Sequence, residues 1–211
     1  MIKGQSRASP RVSDILSDLV NAAAGDRVPV GTFVDALGER AFGLLQLVFS
    51  LPNAVGLGAV PGLSSVFGVP QMFLATQMII GLQHPWLPDW LRHRSVARQD
   101  LQTLLVRAMP HLVRVERVLR PRLLALSSPL AERLLGLLFL VLAITVSLPI
   151  PFGNQPPAIA MALLSLGLIE RDGVYILIGL LAAALAIAIA AAVVVAGAAV
   201  VVVLLHHLFG G

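Results

Sequence analysis

The sequence has no cysteine and a single lysine, and only 12% of its 211 residues are charged. Without cysteine there are no disulfides, no thiolate metal sites and no cysteine nucleophile. The scarcity of charge excludes more. A water-soluble domain carries about a quarter charged residues, and half that number leaves too little polar surface to cover a globule. A bilayer removes the need for such cover. Missing too are a Walker motif, a nucleophile elbow and an HExxH run. His84, His93, His111, His206 and His207 have no metal-ligand spacing with acids. No metal site, cofactor or catalytic residue is therefore assigned. No apolar stretch follows the start, so a cleavable signal peptide is not expected.

What is present is apolar and basic. Hydrophobic residues make up 57% of the chain, mean hydropathy is +0.89, and 15 Lys+Arg face 11 Asp+Glu. Aromatics do not interleave with the arginines and no nucleic-acid-binding module is visible, so anionic lipid is the expected partner and nucleic acid is not. The expected fold is all-α, a polytopic membrane protein with two internal repeats of broken or re-entrant helical hairpins and a long C-terminal transmembrane helix.

Val12, Ile15, Leu16, Leu19 and Val20 share one face of a short amphipathic helix over 11–24, which either lies on the membrane or covers the bundle. Gly25–Pro29 reads as a loop. Thr32, with Asp35 three residues on, reads as the N-cap of a helix running to about Phe49 and ended by Ser50-Leu51-Pro52. Pro52, Gly56, Gly58, Pro61, Gly62 and Pro70 then predict an irregular stretch, followed by a helix from Pro70 to Leu82. Uncharged irregular backbone at membrane depth has to be buried in protein or line a wet cavity.

Residues 83–128 hold eight arginines against Asp89, Asp100 and Glu116. An amphipathic helix is predicted from about 95 to 118, bent at Pro110, and the positive-inside rule makes this connector cytoplasmic. Trp86 and Trp90 at its start suit a membrane interface. Ser128-Pro129 opens the next helix, which ends at Ser147-Leu148-Pro149. Pro149, Pro151, Gly153, Pro156 and Pro157 mark a second break, and the apolar segment 158–169 ends at Glu170-Arg171-Asp172-Gly173. Residues 174–205 carry no formal charge. They read first as one tilted, overlong helix, and second as a hairpin turning near Gly197.

Self-similarity is the strongest signal. Residues 37–48, LGERAFGLLQLV, match 130–141, LAERLLGLLFLV, and both copies go on to Ser-Leu-Pro, a Gly/Pro break, a proline and a Gly-Leu. The organisation is then a single membrane domain over 1–211: repeat 1 over about 11–82, the connector 83–128, repeat 2 over 129–172, and the C-terminal span 174–205. Duplicated units with broken helices occur in transporters and channels, where unwound backbone forms the site. The two copies are inverted if the first crosses once, and parallel if both are hairpins entered from one side; charge does not decide.

Asn53, Ser64, Ser65, Gln71, Asn154 and Gln155 flank the two breaks. They either hydrogen-bond a ligand or satisfy backbone groups freed by Pro and Gly. Glu39-Arg40 and Glu132-Arg133 head the two repeats. Cross-pairing of Glu39 with Arg133 and of Glu132 with Arg40 is the structural reading, and proton coupling the functional one.

The runs SDILSDL, LGERAFGLLQLVFSLPN, PGLSSVFGVP, HPWLPDWL and SLPIPFGNQPPAIAMALLSLGLIERDG resemble the ExoD family of bacterial exopolysaccharide synthesis proteins, over about residues 11–205. The resemblance implies an inner-membrane protein tied to exopolysaccharide production. It implies a process and a place, not a reaction, and assigns no site residue. A transporter-like or channel-like role with its site where the two breaks meet is the first expectation. A scaffold docking a partner or anionic lipid through Arg114, Arg117 and Arg120 is the second, and an enzyme acting on lipid-linked sugar the third. A homodimer is expected, since two hairpins and one helix enclose little volume.

Overall fold

The computed structural model describes residues 12–22, 26–57, 62–123, 126, 128–148 and 154–209. Among them the chain is helical apart from one short strand pair. A cap is built from α1 (Val12–Ala22), β1 (Arg27–Pro29), α2 (Val30–Leu37), α5 (Asp89–Arg92), β2 (Ser95–Ala97) and α6 (Arg98–Val118). A bundle is built from α3 (Arg40–Ala54), α4 (Leu63–Ile80), α7 (Pro129–Ser147), α8 (Gln155–Glu170) and α9 (Gly173–Phe209).

Three helical stretches are long and apolar enough to cross a membrane: Leu63–Ile80, Pro129–Ser147 and Gly173–Val200. Their outward faces are apolar as well. Leu134 is 61% and Leu181 74% exposed, with Val66, Ile80, Leu130 and Leu185 similarly bare. A water-soluble protein does not display such a surface; in hydrocarbon it is the stable one. This is a helical membrane protein.

Within the bundle α3 packs on α8, α4 on α7, and α8 on α9. Two glycines at matched positions of the similar segments let the backbones approach. A β-carbon at Gly43 would lie 3.1 Å from the Ser165 carbonyl on α8, and one at Gly136 would lie 3.0 Å from the Ile79 amide on α4. Small residues at such crossings are how membrane helices gain van der Waals contact without a hydrophobic drive between them. Around these crossings Leu74, Ala75, Phe139, Leu142, Val146, Met161, Leu164 and Ile176 form the core. Val12, Val34, Leu37, Ala41, Leu87 and Ile169 join the cap to the end of the bundle, so α1 covers the protein, as one of its two sequence readings had it.

Several boundaries differ from the expected ones. The predicted helix from Thr32 to Phe49 is two helices, because Gly38 adopts φ 55°, ψ −128° and breaks it. α2 starts at Val30 rather than after a Thr32 cap, and Asp35 instead pairs with Arg92 at 2.6 Å. Pro52 does not end its helix: α3 runs two residues further, to Ala54. The bond a proline removes lies one turn back, so near a C-terminus little helix is left to disturb. Pro70 does not start the return helix; α4 begins at Leu63 and carries Pro70 inside it, as membrane helices tolerate. Ser147-Leu148-Pro149 does end α7, with Leu148 extended at ψ 138°, the conformation a following proline imposes. Residues 27–29 and 95–97, read as loop and helix start, pair antiparallel with Val28 opposite Val96. Of the two readings of 174–205, the single helix holds; Gly197 lies inside α9, whose 37 residues make about 55 Å.

Candidate functional site

The helices reach their ends in two clusters. The starts of α3 and α7 and the ends of α4 and α8 surround one cleft, lined by Glu39, Arg40, Gly81, Gln83, Glu132, Arg133 and Arg171 among others. The opposite ends carry the two breaks. Both hairpins, α3–α4 and α7–α8, therefore open toward the same end.

At the break end the predicted polar residues come together in part. Asn154 Nδ2 donates to Ser64 Oγ at 2.9 Å, and Ser65 Oγ donates to the Ser147 carbonyl at 3.1 Å. Gln155 is exposed and lies beside Gly56, where a β-carbon would sit 3.1 Å from its Nε2. Gly56 and Gly62 take positive φ of 95° and 84°, shaping the first break. Pro156 and Pro157 are in the first turn of α8. Gly58, Pro61, Pro149, Pro151 and Gly153 lie outside the described residues.

From this end a polar seam runs into the bundle. Gln46, Ser50 and Asn53 are buried along one face of α3, spaced i, i+4, i+7. Gln71 and Ser64, seven apart, are buried on α4, and Ser165 on α8. Gln46 Nε2 donates to the Gln71 carbonyl at 3.2 Å. The remaining amide atoms are less well served. Among the described residues, Asn53 Nδ2 and Oδ1, Gln71 Nε2 and Oε1, Gln46 Oε1 and Asn154 Oδ1 are buried without a hydrogen-bond partner. Leaving one such group unmet costs roughly 1–3 kcal/mol, so a row of them calls for a partner such as water or a polar ligand. Gln46, Ser50 and Ser165 were not singled out from the sequence. The i, i+4, i+7 polar spacing within an apolar helix is the signal that finds the first two.

At the other end the charges are arranged differently from the expected cross-pairs. Glu39 pairs with Arg171, not with Arg133. Arg171 is the C-cap of α8 and sits in the left-handed region, φ 52°. That conformation costs a non-glycine residue about 1–2 kcal/mol, and its side chain returns an ion pair bridging α8 to the start of α3. Arg133 reaches across Gly81, where a β-carbon would be 2.6 Å from its guanidinium; Gly81 itself needs φ 89°. Glu132 is half-buried and lies within electrostatic reach of Glu39 and Arg171. The charged cleft encloses about 190 Å³.

Two further features were missed from sequence. Asp172, fully buried, accepts from the Arg120 amide at 2.8 Å and the Val174 amide at 2.9 Å. It thus caps α9 and fastens the connector. A wholly apolar cavity of about 560 Å³ opens between α3, α4 and α5, lined by Phe49, Val69, Phe73, Leu87 and Trp90 among others. Trp86 and Trp90 are exposed, Trp86 tilted on Phe73 with ring centroids 6.1 Å apart.

A helical membrane protein with paired hairpins, a buried polar seam and a charged end cleft is the class these features define. Comparison with known proteins makes it specific. The family described as "Exopolysaccharide synthesis, ExoD" matches residues 12–192. The chain is 30% identical over 177 residues to Protein ExoD of Rhizobium meliloti, covering 82% of this chain and 72% of that protein. It is 33% identical over 152 residues to an uncharacterized protein of Synechocystis, covering 70% and 71% respectively. No solved structure matches. The chain belongs to the ExoD family.

Proposed function

We propose that this protein is an inner-membrane component of exopolysaccharide synthesis or export, transporter-like or channel-like, whose site is the polar seam between α3, α4 and α8. One observation carries this reading: Asn53 is fully buried, and among the described residues neither of its side-chain polar atoms has a partner. Exchanging such a group for an apolar one of similar shape is close to neutral or stabilising. A polar residue there is explained by what it binds rather than by what it holds together.

The test separates the two. The double variant Asn53→Leu, Asn154→Leu should lose exopolysaccharide yield at matched expression, while Asn53→Leu alone, which removes no hydrogen bond among the described residues, melts no lower than wild type. Wild-type yield would sink the reading. Single cysteines at the exposed neighbours Val55 and Gln155 should label with an impermeant maleimide from one shared face of the membrane, because both hairpins open the same way. With the arginine-rich 83–128 connector cytoplasmic, that face is the periplasmic one. Labelling from opposite faces would reverse the proposed topology. A homodimer working with the polysaccharide machinery belongs to this reading, and a monodisperse monomer in nanodiscs would remove it.

A second reading has its own observation: Arg114, Arg117 and Arg120 are all exposed. In a scaffold, charge reversal at these three abolishes polysaccharide production while the Asn53 and Asn154 variants remain active. The opposite pattern excludes it.

A further inference from the structure

The charged cleft has no part in the seam proposal, and its chemistry points to a different ligand. Its lining carries three arginines, Arg40, Arg133 and Arg171, against two glutamates, Glu39 and Glu132. Glu39 is committed to Arg171. Arg133 is exposed at the cleft and makes no ion pair among the described residues; it lies over Gly81, whose missing side chain leaves its guanidinium room. A guanidinium without a carboxylate partner matches a phosphate or carboxylate in two parallel hydrogen bonds. Next to it on α7, half-buried Glu132 adds an acceptor. An anion alone would be repelled by that carboxyl. An anion that brings hydroxyls with it satisfies both groups, Arg133 by its phosphate and Glu132 by its hydroxyl protons.

Size and depth narrow the ligand further. About 190 Å³ is smaller than the roughly 300–1,000 Å³ of sites for drug-sized molecules, and so takes a headgroup or a single sugar rather than an oligosaccharide. Two apolar spans, Leu63–Ile80 and Pro129–Ser147, each have an end at the cleft, which sets it at headgroup depth. We propose that this cleft binds a phosphate ester bearing neighbouring hydroxyls, with Arg133 holding the phosphate and Glu132 accepting from the hydroxyls.

Two sources share that chemistry, a soluble sugar phosphate and a hydroxylated phospholipid headgroup, and the assay separates them. The full-length protein in phosphatidylcholine nanodiscs is titrated calorimetrically with glucose 1-phosphate and with inorganic phosphate. In parallel, retention of phosphatidylglycerol is counted by native mass spectrometry. Wild type is expected to bind glucose 1-phosphate or retain phosphatidylglycerol at one per chain, and whichever does so identifies the source. Arg133→Gln should weaken that binding more than about tenfold, the effect of losing a charge-assisted hydrogen bond. Glu132→Gln should weaken the hydroxylated probe while leaving inorganic phosphate as tight or tighter, a split that misfolding would not produce. Arg133 is exposed, so its variant should melt with wild type. Binding of neither probe, or binding indifferent to Arg133→Gln, overturns the proposal. So does Glu132→Gln that weakens inorganic phosphate as much as the sugar phosphate. The Asn53 and Asn154 variants should bind normally here, so this proposal and the seam reading fail independently.

Discussion

Gly136→Ile should unfold the bundle at a markedly lower temperature than wild type. A β-carbon at this position would stand 2.8 Å from Met78 Cβ, 3.0 Å from the Ile79 amide and 3.1 Å from the Ala75 carbonyl. Two of those three atoms are backbone of α4 and cannot turn aside. The helices have to separate, and α4 against α7 is among the most extensive contacts in the bundle. Overpacking of this kind costs about 1–3 kcal/mol; a branched side chain against fixed backbone belongs at the upper end. Replacing a helical glycine gains up to about 1 kcal/mol of propensity, too little to reverse the sign. Gly197→Ala is the control, since nothing lies within 4 Å of that position; it should leave stability unchanged or slightly raised. Thermal unfolding in mild detergent reads both. Equal melting of Gly136→Ile and wild type would mean that α4 and α7 do not approach as described.

The same glycine shows how much of the fold was legible in the sequence. Gly43 and Gly136 stood out as matched positions of the two similar segments, and each lies at a close helix crossing. The helical class, the Pro129–Ser147 helix with its Ser128 cap and the single overlong C-terminal helix also followed from local pattern. The proline assignments fared worse. Pro52 and Pro149 each follow Ser-Leu, yet Pro52 lies inside a helix while Leu148 leaves one. A proline near a helix end is cheap or decisive according to what the neighbouring chain offers, and that is tertiary information. The strand pair was invisible for a related reason: three residues such as Ser95–Ala97 carry too little pattern, and only pairing with Val28 makes them a strand.

The candidate site was legible in composition but not in connection. Asn53, Ser64, Gln71 and Asn154 could be named because polar residues in apolar sequence are conspicuous. Their companion Gln46 was overlooked inside a repeat motif. Partner choice was the harder problem. Glu39 and Arg133 head helices of the two similar segments, and the likeness of their sequences favoured pairing them; the observed partner, Arg171, comes from the end of α8. Antiparallel packing of α3 on α8 brings the start of one helix to the end of the other, so a helix-terminal arginine outcompetes one at a helix start. The first of the similar segments has no counterpart of Arg171: the stretch after Gly81-Leu82 is Gln83-His84-Pro85. This leaves Glu132 and Arg133 without the bridge that Glu39 has, and leaves the cleft asymmetric.

Asp172→Ala should be nearly as damaging as Gly136→Ile, by a different route. Asp172 is fully buried, and its two carboxylate oxygens accept from the amides of Arg120 and Val174. Removal takes away the N-cap of α9, worth typically about 1 kcal/mol, and leaves the Arg120 amide unmet, a further 1–3 kcal/mol or so. A loss of about 3 kcal/mol is expected. Arg122 contributes little to it: its Nε is 3.7 Å away and its side chain is half exposed, the regime in which ion pairs are weak. Asp172→Asn separates the two bonds. Asparagine caps a helix about as well as aspartate, so its one amide oxygen can keep the Val174 bond, but its Nδ2 is a donor and cannot accept from the Arg120 amide; the loss should lie between wild type and alanine. The connector supplies a second readout. The Arg122 amide and carbonyl also bond the chain at Arg171 and Gly173, so freeing Arg120 removes one of three bonds that fasten this segment and loosens it. Limited trypsin digestion should then cut after Arg117 or Arg122 faster in both Asp172 variants than in wild type; the bond after Arg120 is protected by Pro121. If neither variant is cut faster, the Arg120 amide does not fasten the connector, and Asp172 serves only as the cap of α9.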